Sequence, residues 1–416
     1  MSDKSMSKSV AIVLGGTAPH IELINQLKAR GYYVILVDYL ENPPAKNHAD
    51  LHIQESTMDN DAVLRVAKEY DAKLVISACV DQANITACYV AEKLGLTKPY
   101  TYKTASEITN KGFMKQIMFE NNIPTTKYVY LESGEELLDF DLKYPVMVKP
   151  ADSCAASGVK KANNETELNE FLLNAKNVSR TGRTVVEEFF SGVEVSAYCF
   201  VQDYTANVVM ISERLSVIEG EKQVLKCYAT ITPPNISKTA KQKIQKAASD
   251  IAKAFDLNNT PLHVQAIVDG DSISIIEFAP RVGGGISYRT IKDNTGFDII
   301  SATIDSYLEK KVNLEYSKIK YYYSVNLVYG IPSIFDHLNG ADKLISEGIV
   351  DSIHFHKTQG MSITDDKASG GRIAAFLVKG NSREEVCKKV DYAMNNMDAY
   401  DASGKSIMRK DLYIKE

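Results

Sequence analysis

Over the first 123 residues, short runs of β-forming residues alternate with amphipathic helical runs, and this alternation restricts the chain more than any other feature. Val10-Ala-Ile-Val-Leu14 reads as a buried strand, Ile21 to Arg30 as a helix stopped by Gly31, and Tyr33-Val-Ile-Leu-Val37 as the next strand. The pattern repeats with a helix over Asp61 to Tyr70 and a strand over Lys73-Leu-Val-Ile-Ser77. Apolar strands separated by helices form a parallel sheet covered by those helices, because a parallel crossover needs a long return connection. The expectation is a Rossmann-like α/β unit over residues 1–124.

Beyond Pro124 the strict alternation stops. Tyr144 to Lys149, Thr184 to Glu188 and Val193 to Phe200 read as strands, Glu165 to Asn174 and Lys238 to Phe255 as helices, which suits an α+β domain with antiparallel strands over 125–316. From about Ser317, β-rich runs at Tyr321 to Tyr329 and Ile373 to Val378 precede a helix at Arg383 to Met394, predicting a small α+β C-terminal unit over 317–416. Three units suit 416 residues at roughly 100 to 200 residues per domain.

A net charge of -5 gives no broad reason to bind nucleic acid, so anionic small molecules must be held locally. No stretch is long and apolar enough to cross a bilayer, and the polar N-terminus lacks a secretory apolar segment. Cys79, Cys88, Cys154, Cys199, Cys227 and Cys387 lie far apart without Cys-x-x-Cys pairs, which points to a reduced cytoplasm and no structural metal.

Several motifs bear chemistry. Gly15-Gly16 follows the first strand and precedes a helix, and Asp38 ends the second strand as a ribose-binding acid would. The full G-x-G-x-x-G pattern is absent, so a tight turn, with or without a substrate contact, is expected instead of a nicotinamide site. No G-x-x-x-x-G-K-[ST] occurs either. Val146-Met-Val-Lys149-Pro runs into the small-residue loop from Ser153 to Gly158, whose backbone donors can fold over phosphates beside a lysine. Glu187 and Glu194 flank a Gly-containing turn that can offer a carboxylate and backbone groups to a purine edge and a second carboxylate to ribose; a pair of solvated hairpin acids is the competing reading. His263-Val-Gln265 and Ile275-Ile-Glu277 are joined through Asp269-Gly-Asp-Ser, a strong hairpin signal that brings Gln265 and Glu277 close enough to share a cation. Arg281 then leads into Val-Gly-Gly-Gly285, where backbone can approach an oxyanion.

In this order the pieces resemble the ATP-grasp superfamily, in particular the branch of biotin carboxylase, carbamoyl phosphate synthetase, phosphoribosylglycinamide synthetase and the L-amino acid ligases. The resemblance runs from Gly15-Gly16-Thr17 through Asn110-Lys-Gly-Phe-Met-Lys115 and Ile123-Pro124 to the Glu277-x-x-x-Arg281 strand. It implies an ATP-grasp fold with a Rossmann-like leading domain, an ATP site with its lid over about 145–200, and a small C-terminal domain. It further implies that Lys111 and Lys149 hold the ATP phosphates, that Ser153, Ser157 and Gly158 belong to the lid loop, that Glu187 accepts from the adenine amino group with the Phe189 backbone as hinge, and that Glu194 binds ribose. Gln265 and Glu277 match the metal-bearing positions for Mg2+ or Mn2+, Arg281 the arginine that stabilises an acyl phosphate, and Gly284 an added backbone donor. His263, Arg214, Lys226, Ser287 and Arg289 are substrate-pocket candidates. Two departures stand out. Ala279 occupies a position where many members carry Asn, and Ser157 stands where a basic residue often precedes Gly158, with Lys160 or Lys161 as substitutes.

The activity implied is ATP-dependent ligation of a small carboxylate, amino acids among them, to an amine through an acyl phosphate, releasing ADP and phosphate. The competing readings are an ATP-dependent carboxylase or purine-precursor ligase, and a catalytically silent ATP-binding protein that Ala279 keeps open. A homodimer is a family expectation.

Overall fold

The computed structural model describes residues 8–137, 141–153, 157–219, 224–366 and 368–413. The leading unit is a parallel sheet in the order Leu51–Ile53, Tyr33–Val37, Val10–Leu14, Ala72–Ile76. Its central strands are fully buried from Ala11 to Leu14 and from Val34 to Val37, as strands covered on both faces must be. The first helix, Ala18–Ala29, starts three residues before the expected Ile21. Pro19 presets its first turn, and Thr17 with His20 forms a reciprocal cap at its N-terminus.

The glycine turn serves that cap. Gly15 has φ +100°, and a Cβ there would meet the His20 ring at 3.0 Å; one at Gly16 would lie 2.5 Å from the Pro43 Cβ. The space that a pyrophosphate would occupy in a dinucleotide fold is filled by the chain's own side chains, and Asp38 accepts from the Leu40 N–H at 2.9 Å. His20 is wholly buried, its Nδ1 accepting from the Thr17 N–H and its Nε2 beside the Ser77 hydroxyl at 3.2 Å. Burial lowers its pKa from 6.5 to about 3. The unfolded chain therefore binds one more proton at this residue between those pH values. Stability is expected to fall as pH drops below 6.5, by up to about 1.4 kcal/mol per unit from His20 alone, and denaturant titrations of the parent and His20→Gln should show a shallower slope in the variant.

A second, antiparallel sheet has the order Tyr128–Leu131, Thr184–Glu188, Val146–Pro150, Lys160–Ala162, covered by the helix Glu165–Val178 through Leu168, Phe171, Leu172 and Ala175. This sheet, hereafter the lid, contains most of the segment expected as the lid (about 145–200) and spans about 128–188. Tyr128–Leu131 pairs into it, whereas Val193–Gln202 belongs to the next sheet. The chain passes between the two at Gly192, φ +145°, where a Cβ would stand 2.3 Å from the Val268 carbonyl oxygen.

The third sheet has eight strands in the order Ser272–Ala279, Thr260–Asp269, Val193–Gln202, Thr205–Glu219, Val224–Thr232, Tyr322–Tyr329, Arg372–Gly380, Ser352–Phe355. The segment expected as a separate C-terminal unit thus continues the central sheet, Tyr322–Tyr329 pairing with Val224–Thr232 and covering an edge that would otherwise stay unpaired. It adds a small sheet of its own, Ser362–Ile363, Ser333–Asn339 and Asp398–Asp401, with the helix Arg383–Asn396.

Strand Val193–Gln202 divides two cores by its two-residue period. Val195, Ala197, Cys199 and Val201 pack under the helix Lys238–Ala254, while Tyr198 and Phe200 join the core of the parallel-sheet unit. Polar contacts reinforce that junction, with Val282 N–H donating to the Ala78 carbonyl at 3.1 Å and Tyr307 O–H to Asn84 Oδ1 at 2.6 Å. No helix among the described residues is long and apolar enough to cross a membrane.

Candidate active site

Two adjoining cavities, of about 400 and 310 Å³, open on either side of a common wall made by Lys111, Ser153, Arg214, Cys227, Gln265, Glu277 and Arg372. The smaller lies between the lid and the central sheet. Met147 and Val159 on the lid face Ile267, Ile275 and Leu225 on the sheet, an apolar slot suited to a flat ring, with Lys149, Lys160, Lys161, Glu187 and Glu194 around it. The larger lies between the parallel-sheet unit and the central sheet and is lined by Asp81, Asn84, Tyr100, Tyr198, His263, Arg281, Gly284 and Ser287 among others.

Lys111 owes its position to Asn110, whose side chain caps the helix Lys111–Glu120 by accepting from the Gly112 and Phe113 N–H groups at 3.0 and 3.2 Å. Its ammonium donates to the Ser153 carbonyl and lies 3.9 Å from Glu277. One turn later, Lys115 is buried and reaches Glu187 at 2.5 Å while donating to Thr125 at 2.6 Å. Lys149 donates to the other Glu187 oxygen. Burial alone would raise the Glu187 carboxyl, but the two ammonium groups outweigh it and hold its pKa at about 2. Burial dominates at Lys115 and lowers its pKa despite Glu187.

Both Glu187 oxygens hold a cation in this cluster, with Thr126 Oγ1 a further donor at 3.3 Å, so the carboxylate that the resemblance assigns to the adenine amino group also anchors the two lysines. The Phe189 N–H is spent on the Pro145 carbonyl at 3.0 Å, and that of Glu188 on Lys127. Phe190 also lines the slot, and its N–H has no hydrogen-bond partner among the described residues. Phe189 itself is exposed beneath the Lys161 ammonium, 3.9 Å from its ring centre.

In the lid loop, Ser153 Oγ donates to the Ser157 carbonyl at 2.8 Å and Gly158 has φ +72°, while positions 154–156 lie outside the described residues. Neither Ser157 nor Gly158 lines either cavity; Val159, Lys160 and Lys161 do. Glu194 and Arg214, named separately from sequence, form one ion pair at 2.7 Å.

Gln265 and Glu277 face each other across the hairpin, followed by a bulge. Among the described residues no three His, Cys, Asp or Glu side chains gather as a metal cage. One carboxylate and one carboxamide at the mouth of a phosphate-sized slot fit a cation held jointly by protein and phosphates, which is how Mg2+ is usually bound.

Arg281 is gripped by Asp81 from the parallel-sheet unit, with Nε to Oδ1 at 2.7 Å and Nη2 to Oδ2 at 2.9 Å, and it donates to the Val282 carbonyl at 3.0 Å. Burial opposes its charge, but Asp81 holds the guanidinium protonated. His263 stacks on Tyr198 at 5.2 Å and is kept neutral by burial and by Arg281 and Arg214 nearby. Ser287 Oγ donates to the Gly283 carbonyl at 3.2 Å.

Two candidates stand elsewhere. Lys226 alternates with Leu225 and Cys227, which line the slot, so strand geometry turns it to the other face, where its ammonium lies 5.7 Å from the Tyr329 ring centre. Arg289 pairs with Asp293 at 3.5 Å on its own helix and approaches His354 at 3.5 Å, outside both cavities. The residues that sequence reasoning missed are Asp81, Asn84, Lys115 and Arg372. Of these, only Lys115 had a local signal, as a charge between Met114 and Met118 on the buried face of a helix.

The sequence pattern of the ATP-grasp domain family matches residues 142–289, the stretch that carries the lid, the hinge and the Gln265/Glu277 hairpin. The formate-dependent phosphoribosylglycinamide formyltransferase of Sulfurisphaera tokodaii is 21% identical over 276 residues, which is 64% of this chain and 68% of that protein. The large chain of carbamoyl phosphate synthase from Pyrococcus furiosus is 21% identical over 75% of this chain, but the match spans only 29% of that protein. Among solved structures, the L-amino acid ligase from Bacillus licheniformis superposes with a TM-score of 0.79 at 17% identity, covering 94% of this chain and 98% of the other. Residues 142–289 therefore match the ATP-grasp domain family, and the fold of the L-amino acid ligase structure is shared over nearly the whole chain.

Proposed function

We propose that this protein is an ADP-forming ligase that joins a carboxylate to an amine through an acyl phosphate. The observation that carries the reading is the common wall: cations and the Gln265/Glu277 pair stand between a slot suited to a nucleotide and a second cavity with its own half-buried, carboxylate-held arginine. A substrate carboxylate in the larger cavity attacks the γ-phosphorus in line, across that wall, while Lys111 and Lys149 offset the triphosphate charge. Glu277 and Gln265 would hold Mg2+ together with the phosphates, and the ion would supply further charge neutralisation. Arg281, oriented by Asp81, then stabilises the oxyanion formed as the amine attacks, and phosphate leaves. No protein nucleophile is needed, because positioning and charge do the work. His263, held neutral, lines the substrate cavity and does not add to its positive charge.

The reading is tested by ADP release from Mg-ATP against arrayed amino acids, other small carboxylates, amines and bicarbonate. Release that requires a carboxylate and an amine together supports the ligase. Release driven by bicarbonate would make it a carboxylase, and ATP binding without substrate-dependent release across the panel would favour a silent binder.

A further inference from the structure

We infer that Arg372, supplied by the C-terminal strand Arg372–Gly380, binds the phosphoryl group as it passes from nucleotide to substrate. The inference rests on the ligase reading above. Three arginines line the larger cavity, and two of them are neutralised where they stand, Arg214 by Glu194 and Arg281 by Asp81, each at 2.7 Å. Arg372 has no carboxylate partner among the described residues. Its Nε donates to the Tyr329 hydroxyl at 3.1 Å, and that hydroxyl is itself fixed by donating to the Cys227 carbonyl at 2.9 Å. Tyr329 is 1% exposed, so the guanidinium is aimed by a rigid anchor while its four remaining N–H donors stay available.

A permanently charged, oriented and uncompensated guanidinium on a cavity wall is an anion site, and its planar fork suits the oxygens of a phosphoryl group. Its place selects which anion. Asp81, Arg281 and His263 line the larger cavity alone, as groups that serve only the acyl or amine substrate would. Arg372 lines both cavities, with Lys111, Gln265 and Glu277, where the transferring group must cross. The continuation of the central sheet into the C-terminal segment thereby gains a chemical purpose, since it delivers a cation that the ATP-grasp domain does not itself carry. Sequence reading passed over Arg372 because Ile373 to Val378 reads only as a buried strand.

The test compares binding of Mg2+ with ADP and of Mg2+ with a nonhydrolysable ATP analogue that keeps the γ-phosphate, by calorimetry, for the parent, Arg372→Met and Arg372→Lys. Removing a charge-assisted phosphate contact is expected to weaken the analogue about tenfold or more in R372M while ADP binding changes less than about twofold, with R372K intermediate. In turnover, kcat should fall by about 10² to 10³ with the carboxylate KM nearly unchanged. Equal weakening of both nucleotides would overturn the inference in favour of a structural role. Unchanged binding of both, with a raised KM for one substrate, would overturn it in favour of a substrate-carboxylate site. A parent protein that binds neither nucleotide would sink the ligase reading itself, a result distinct from any behaviour of the variants. R372K guards against a folding failure of R372M.

Discussion

Glu277→Ala should lower kcat for ATP turnover by about 10³ while the variant melts close to the parent, and Lys149→Ala should lose both activity and stability. The contrast follows from burial. The Glu277 side chain is 43% exposed, projects into the cavities and has Lys111 only at 3.9 Å, so little of the fold depends on it. Opposite Gln265 it lines both cavities, and on the proposed reading its loss removes the charged member of the pair that would hold the cation. Lys149 is buried against Glu187. Removing it leaves that carboxylate with Lys115 alone in a water-poor setting, and breaking a buried ion pair from one side costs about 3 to 5 kcal/mol. Steady-state kinetics with thermal melts of both variants checks the pair. Equal stability losses would mean that Glu277 is structural.

Asp81→Ala carries the other large effect. Arg281 would be left charged, largely shielded and without its carboxylate at the seam between the parallel-sheet unit and the central sheet, a loss toward the lower end of about 3 to 5 kcal/mol. Asp81→Asn keeps the shape and some hydrogen bonding and should cost less. The double variant Asp81→Ala/Arg281→Met removes both charges, so it should recover much of the lost stability and none of the activity. A double-mutant cycle in denaturant, run alongside kcat, separates the two contributions. Additive stability losses would show that the pair is not coupled.

Which parts of this could be read from the sequence follows from the range of the signals. Strand Thr184–Glu188 and the helices Glu165–Val178, Lys238–Ala254 and Arg383–Asn396 announce themselves by local period, and Asp269-Gly270 fixes a hairpin whose register brings Gln265 within one position of Glu277, the bulge after Gln265 completing the pairing. Partnerships between distant segments leave no such mark. Asp81 and Arg281 are 200 residues apart, and nothing local distinguishes Asp81 from any other acid at the start of a helix. That the Pro145 carbonyl takes the Phe189 N–H is likewise a fact of strand pairing that the local sequence does not contain. Which face Lys226 takes could not be read, because side-chain parity along Val224–Thr232 depends on the irregularity opposite Leu215 and Ser216. The C-terminal segment looked independent because its strands are locally complete, and only the open edge at Val224–Thr232 explains why they join the central sheet.

The central claim is that a substrate oxygen attacks the γ-phosphorus, and an isotope settles it most directly. With the substrate carboxylate labelled with 18O, one labelled oxygen should appear in inorganic phosphate for each amide formed, because the oxygen that attacks phosphorus leaves with it. Unlabelled phosphate accompanying amide formation would contradict the acyl phosphate route, and label in AMP would replace it with adenylation.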